Sequence, residues 1–288
     1  MRIAIIGAGG QVGQEFAKRR PPGGLILWGR KDVDVCVYEQ VEAMLARTDD
    51  IDVVINLAAF HNVNACEQDQ AKAFGVNGTG AFNVAKATAK RGIRLVFFSS
   101  DYVFGQDGSR STPYVESDAV GPVNVYGASK VAGEQLVRAL NPNHVIVRTS
   151  SLFGVATSQK GWTFPEMIVT RARRGESLRV VTDQIMSPTY TYQLVGKLLE
   201  ILERNVLGTV HLCNCGECSW HQLAARTLAL LGMDTRVAGC TSEEFPSRAR
   251  RPVYSALASQ RLAELGIAPL PDWPSALEAY LTEKGWLP

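Results

Sequence analysis

Short runs of apolar, β-branched residues alternate along the chain with longer stretches in which apolar residues recur at helical spacing. The runs at residues 2–6, 25–28, 52–57, 93–98 and 144–148 are nearly continuous in Val, Ile, Leu and Phe, the pattern of strands buried on both faces. Between them, residues 11–19, 38–47, 71–90 and 127–140 carry helix-compatible periodicity, and the PPGG tract at 21–24 stops the first. Five such βα units predict an α/β fold: a doubly wound parallel sheet of the Rossmann type with a smaller C-terminal substrate-binding region.

After residue 148 the rhythm loosens. Residues 154–161 read as a loop, 164–174 as a helix and 178–181 as a strand. A helix near 191–203 and a strand near 209–213 are expected to return to the main sheet. The predicted division is therefore interleaved: residues 1–150 with about 185–213 bind a dinucleotide, and about 151–184 with 214–288 bind a substrate.

Composition narrows the functions. In 288 residues, 46% hydrophobic and 20% charged, a core can form, which excludes a mainly disordered chain. Thirty Lys+Arg against 28 Asp+Glu give a formal charge of +2, so neither nucleic acid nor a membrane surface is an expected partner. An anion must be held locally. No apolar stretch approaches the ~20 residues of a membrane helix, which predicts a cytoplasmic protein. The six cysteines are scattered, so reduced thiols are expected rather than a disulfide framework.

Gly7, Gly10 and Gly13 follow the first strand and open the first helix. Glycines there permit a tight turn, so that the N–H groups of the helix N-terminus can hold a pyrophosphate. Gln11 and Val12 belong to the same turn. The second strand ends in WGRK at 28–31, where an acidic residue would bind the ribose of NAD. Arg30, helped by Lys31, suits the 2′-phosphate of NADPH, while Asp32 and Asp34 keep NADH as the alternative.

The fourth strand ends in SSDY at 99–102, and Tyr126 and Lys130 stand four apart at the start of a predicted helix, on one face. Hydride delivery to a ketone leaves an alkoxide that needs a proton. Tyr126 is the predicted donor, acidified by the Lys130 ammonium, with Ser100 donating to the carbonyl oxygen. Tyr280 and Lys284 repeat the spacing near the C-terminus and are read as a solvated helix face. The stretch HLCNCGECSWH at 211–221, with Cys213, Cys215 and Cys218, is dense in metal-ligand types but is read as strand and loop. No metal site is assigned.

At these motifs the chain resembles the extended short-chain dehydrogenase/reductases, and within them the dTDP-4-dehydrorhamnose reductase family. The resemblance runs through GAGGQVG at 7–13, INLAA at 55–59, SDYVF at 100–104 and PVNVYGASK at 122–130. It continues in RTS at 148–150, DQ at 183–184 with PT at 188–189, and ARRP at 249–252. It implies NADPH-dependent reduction of the C4 ketone of a thymidine diphosphate 6-deoxy sugar, with Ser100, Tyr126 and Lys130 as the catalytic set. It further implies Asn56, Ala58 and Ala59 beneath the cofactor and Asn77 as a support. Asp101 and Tyr102 would line the sugar site, and Arg250 and Arg251 would face the diphosphate.

Departures from the family pattern touch the substrate. Ser151 stands where a sugar-stacking Trp is usual, His61 and Asn64 where Thr and Asp are common, and Met186 at a usual Gly. Trp162 could replace the stacking platform, although anchoring the following helix would serve it equally. Asp101 is followed by Tyr102 rather than Glu, against the dehydratases of the superfamily. A reductase of another nucleotide 4-keto sugar, or a non-catalytic regulator that binds NADP or a sugar nucleotide, is the competing reading. A homodimer, with or without a bridging divalent ion, is left open.

Overall fold

Five strands, β1 (Ile3–Ile6), β2 (Leu25–Trp28), β3 (Val53–Asn56), β4 (Arg94–Phe98) and β5 (His144–Arg148), carry the first half of the chain in the computed structural model. Helices α1 (Gln11–Arg19), α2 (Tyr38–Ala46), α3 (Val63–Gln68), α4 (Gln70–Phe74), α5 (Gly80–Ala89) and α6 (Val125–Leu140) lie between them. A π-helical turn, Gly75–Thr79, joins α4 to α5, and a 3₁₀ turn, Asp101–Val103, follows β4. The structure describes residues 1–156, 161–245 and 247–287, so residues 157–160 of the expected loop lie outside the described residues.

The second half begins with β6 (Leu152–Phe153), α7 (Phe164–Arg173), β7 (Leu178–Val181), β8 (Ile185–Met186), β9 (Thr189–Tyr190) and α8 (Thr191–Glu203). It ends with β10 (Gly208–His211), β11 (Cys218–Ser219), α9 (Trp220–Leu230), β12 (Val237–Cys240), α10 (Gln260–Glu264) and α11 (Trp273–Glu283). The main sheet is parallel throughout, in the order β10-β5-β4-β3-β1-β2. Small ladders pair β6 with β9, β7 with β12 and β8 with β11.

Strand order turns at β1, whose neighbours are β2 on one side and β3 on the other. A crevice opens at the carboxyl ends of the strands flanking such a reversal. Alternate strand residues feed two cores. Ile3, Ile5, Val53 and Ile55 pack with Phe16 of α1 and with Leu194, Leu198 and Ile201 of α8. On the opposite face, Ala4, Ile6, Val54, Leu95 and Phe97 pack with Val41 of α2, Val84 of α5 and Val137 of α6. Each fully buried Leu, Ile or Val contributes about 1.5–3 kcal/mol, which is what fixes the helices to the sheet.

Three expectations need correction. β2 is not buried on both faces: it is the sheet edge, with Leu27 44% exposed. The single helix expected over 71–90 is split by the π-helical turn, and α3, capped by Asn62 accepting from the Ala65 N–H at 3.1 Å, precedes it. Tyr280 is not on a solvated face but wholly buried with Leu277, Phe153 and Tyr190, its hydroxyl 3.3 Å from Thr163 Oγ1.

Candidate active site

Gly7 sits at φ +85°, and a Cβ there would lie 2.9 Å from the Ala58 nitrogen, so only glycine lets the β1 and β3 ends approach this closely. At Gly13 a Cβ would meet Ala8 O at 2.5 Å, so its absence allows α1 to seat against the turn. Gly10, the N-cap of α1, supplies no side-chain cap, which leaves the helix N-terminus to a ligand. Beside it the amide Gln11 Nε2 is buried without a hydrogen-bond partner. Bare N–H groups and an orphaned amide donor together suit an anionic diphosphate.

A cavity of about 1220 Å³ runs from this turn across the ends of β1, β3 and β4. Of the residues expected at the cofactor, Gly7, Gly10, Gln11, Val12, Arg30, Ala58, Ala59, Tyr126 and Lys130 line it. Gly13 and Asn56 stand behind the wall instead: Gly13 seats the helix, and the buried Asn56 accepts through Oδ1 from the Ala58 N–H at 3.1 Å. Asp32 is turned onto the Gly29 N–H at 2.7 Å, whereas Asp34 reaches the cavity wall with Arg30.

The opposite wall is assembled by α6. Asn124 caps it by accepting from the Gly127 N–H at 2.8 Å, and Glu67 of α3 accepts from the Val125 N–H at 2.8 Å. A Cβ on Gly127 would stand 2.0 Å from Tyr102 O, so glycine is required where α6 crosses the 3₁₀ turn carrying Asp101 and Tyr102. Asn77, placed by the π-helical turn and wholly buried, donates to Ser129 Oγ at 2.9 Å and to Phe60 O at 3.1 Å. Ser129 donates in turn to Tyr126 O at 2.7 Å. This is a support for the first turn of α6, and irregular helical turns of this kind frequently occur at functional sites.

Ser100, Tyr126 and Lys130 share the cavity. Ser100 Oγ donates to Asp101 Oδ1 at 3.0 Å, and its hydroxyl bears on the Tyr126 phenol. The rings of Tyr102 and Tyr126 meet edge to face with centroids 6.0 Å apart. Lys130 is 1% exposed, with Nζ 4.2 Å from the Phe97 ring centroid.

The electrostatics differ from expectation. Burial pushes the Tyr126 phenol up rather than down, Ser100 opposes that rise, and Lys130 is not among the largest influences. Burial also pulls the Lys130 amine down to about 7, against the pull of Glu134. Lys130 is buried and Tyr126 half-buried in one wall, so desolvation disfavours ammonium strongly and phenolate in the same direction.

Asp101, expected to line the sugar site, borders the cavity, but its carboxylate is saturated by hydroxyls. Ser150 donates to Oδ2 at 2.9 Å and Ser255 at 2.7 Å, in addition to Ser100 on Oδ1. Burial lifts it to about 6, with the three hydroxyls pulling downward. Tyr102, Ser151 and Arg251 also line the cavity, and Arg251 donates to the Tyr102 hydroxyl at 3.1 Å. Arg250 is exposed outside the cavity, and its carbonyl accepts from Asn124 Nδ2 at 2.9 Å. His61, Asn64 and Trp162 are on the wall as well.

Sequence reasoning missed the polar layer beneath this site. Glu134 of α6 accepts from Ser99, Arg138 and Arg148, all drawn together beneath the wall that carries Lys130. The available signal was an acid one turn beyond Lys130, on the same helix face. The residues read as strand and loop are dispersed: Cys213 Sγ donates to Leu257 O at 3.2 Å, His211 Nδ1 meets Ala258 O at 2.9 Å, and His221 Nε2 meets Val237 O at 3.0 Å. Among the described residues no group of three or more His, Cys, Asp or Glu could hold a metal, and no helix is long and apolar enough to cross a membrane.

Known proteins share this architecture. The chain is 39% identical over 284 residues to dTDP-4-dehydrorhamnose reductase of Mycolicibacterium smegmatis, covering 96% of this chain and 84% of that one. It is 34% identical over 280 residues to dTDP-4-keto-6-deoxy-D-glucose reductase of Streptomyces niveus, covering 96% and 95%. The crystal structure of dTDP-4-dehydrorhamnose reductase from Bacillus anthracis in complex with NADP superposes with a TM-score of 0.92 at 34% identity, covering 98% and 99%. The family model described as RmlD substrate binding domain matches residues 1–285. The chain therefore belongs to the RmlD substrate binding domain family.

Proposed function

We propose that the protein catalyses NADPH-dependent reduction of the C4 ketone of a nucleotide-linked 6-deoxy-4-keto sugar, converting dTDP-4-dehydrorhamnose to dTDP-L-rhamnose. The observation that carries this reading is the shared cavity, which joins the glycine turn and Arg30 to Ser100, Tyr126 and Lys130. Its residues fit the cofactor: the uncapped α1 N-terminus and Gln11 suit the pyrophosphate, and Arg30 suits a 2′-phosphate. The Bacillus anthracis relative, in complex with NADP, supports the same choice, while Asp34 on that wall would favour NADH.

Bound there, NADPH supplies the hydride that reduces the ketone carbon. The chain handles the proton. Tyr126 holds it firmly, because burial disfavours phenolate, and gives it up only to an oxygen as basic as the forming alkoxide. As charge grows on that oxygen, Ser100 would turn its single hydroxyl hydrogen from Asp101 Oδ1 to it. Lys130, when protonated, lowers the cost of the phenolate and can hold the nicotinamide ribose. Tyr102, Ser151 and Arg251 orient the sugar nucleotide, and Asp101 sets the Ser100 hydroxyl.

Residues 1–150 with about 185–213 would form the dinucleotide half and the remainder the substrate half, a division supported by the pairing of β10 with β5. Six free cysteines suit a reducing cytoplasm. A homodimer belongs to the same reading, and solution mass tests it.

A second reading, reduction of a different nucleotide 4-keto sugar, is favoured by the small Ser151 side chain on the cavity wall and by the Streptomyces niveus relative. The deciding experiment follows NADPH consumption with dTDP-4-keto-6-deoxy-L-mannose. Consumption supports the primary reading, and consumption only with another 4-keto sugar nucleotide supports the second. Binding of NADPH with no consumption on either would make the protein a regulator.

A further inference from the structure

Glu134 lies one helical turn beyond Lys130 on α6 and is wholly buried. A carboxylate in such a place requires strong donors, because a buried ion without partners is strongly unfavourable. Oε1 accepts from Ser99 Oγ at 2.6 Å and from Arg148 Nε at 2.9 Å. Oε2 accepts from Arg148 Nη2 at 2.8 Å and from Arg138 Nη2 at 3.0 Å. The donors come from the places that position the reaction: Ser99 precedes Ser100, and Arg148 ends β5 just before Ser150, which bonds Asp101.

We propose that Glu134 is a positioning residue for the reduction: it ties the ends of β4 and β5 to α6 and sets a buried negative charge one helical turn from the Lys130 amine. This inference rests on the reading of Ser100, Tyr126 and Lys130 as the reducing site. Stability alone does not account for the pair, since well-packed apolar residues in place of a buried ion pair are often neutral or stabilising. A charge retained one turn from a buried lysine has an electrostatic consequence that an apolar pair lacks.

The surroundings of Lys130 make that consequence direct. Burial draws its amine down to about 7, and Glu134 is the charged group that opposes the fall. The strand beneath offers the Phe97 ring. Cys66 of α3, Asp101 and Tyr102 bear on the neighbouring phenol. Glu134 itself faces Arg148 from β5, Arg138 from its own helix and Ser99 from just beyond β4. Arg148 faces His211 of β10 at 3.4 Å, and His211 faces Glu116.

The test is a ¹³C NMR titration of lysine side chains in the full chain, with the Lys130 signal assigned by its loss in Lys130→Arg. Glu134→Gln keeps the side-chain shape and removes the charge, and should lower the Lys130 midpoint by about one pH unit, tenfold in proton affinity. Glu134→Asp keeps the charge but draws it back by one methylene, and should lower the midpoint by a smaller amount. In the NADPH assay the alkaline limb of kcat should follow both shifts.

A structural tie alone would move neither midpoint. An unmoved midpoint in Glu134→Gln overturns the proposal; if that variant does not fold, an unmoved or raised midpoint in Glu134→Asp overturns it. Midpoints that move as expected in a wild-type protein unable to reduce any 4-keto sugar nucleotide would uphold the electrostatic link and sink the reading of the site as a reductase.

Discussion

Ser100 donates its hydroxyl hydrogen to Asp101 Oδ1 at 3.0 Å, so the hydroxyl proposed to act in the reduction is held by the residue that follows it. Asp101 receives two further hydroxyls, from Ser150 beyond β5 and from Ser255 in the C-terminal half. One carboxylate thus gathers three chain segments at the edge of the cavity.

This placement makes Asp101→Asn informative. Burial raises the Asp101 carboxyl from its ordinary 3.8 to about 6, so between those values the folded protein binds a proton that the unfolded chain has released. Its contribution to stability is therefore fully present below about pH 4 and is lost as pH rises through about 6. Asparagine does not titrate. Relative to wild type, the variant should gain roughly 2–3 kcal/mol between about pH 4 and pH 7 in urea unfolding. Its turnover should drop because an amide also donates, which misorients Ser100. A wild-type and variant difference that stays flat with pH would contradict the assignment.

Tyr126→Phe removes the proposed proton donor and leaves the ring. NADPH binding, followed by quenching of protein fluorescence, should stay within about twofold, while kcat falls by about 10²–10⁴. Near-normal turnover would remove Tyr126 from the mechanism. Because burial holds the phenol proton tightly, wild-type activity should not increase on the alkaline side through phenolate formation.

Arg30→Ser tests the cofactor. The guanidinium is exposed at the cavity wall, where a charge-assisted contact with a 2′-phosphate is worth about 1–2 kcal/mol after solvent screening. KM for NADPH should rise roughly tenfold and KM for NADH should hardly change. Equal effects on both would place the 2′-phosphate elsewhere.

The sequence makes the main sheet legible because parallel strands covered on both faces are apolar runs that need no partner information to be seen. β1, β3, β4 and β5 are of that kind. β2 has the same composition, and its edge position depends on strand order, which hydrophobicity does not encode. The turn at Gly75–Thr79 escapes because helical periodicity continues through it, although it decides where Asn77 points. Tyr126 and Lys130 are visible as a local pair. Glu134 is visible only as an anomaly, since Ser99 and Arg148 lie 35 and 14 residues away along the chain. The sign of the Tyr126 shift depends on burial of the wall, which a pairwise reading of Tyr and Lys leaves out.

The second Tyr-x-x-x-Lys separates local pattern from site. Tyr280 is packed among Phe153, Tyr190 and Leu277, and Lys284 reaches Glu166 of α7, so both side chains fasten α11 to its neighbours. Tyr280→Phe removes the hydroxyl beside Thr163 Oγ1 and should cost about 1 kcal/mol, with NADPH turnover unchanged. Tyr280→Ala leaves a cavity and should cost about 3–5 kcal/mol. Chemical denaturation and the NADPH assay, run side by side, give opposite signatures for the two tyrosines: stability without chemistry at Tyr280, chemistry without much stability at Tyr126. Lost turnover in a Tyr280→Phe protein of intact stability would move the catalytic phenol to α11.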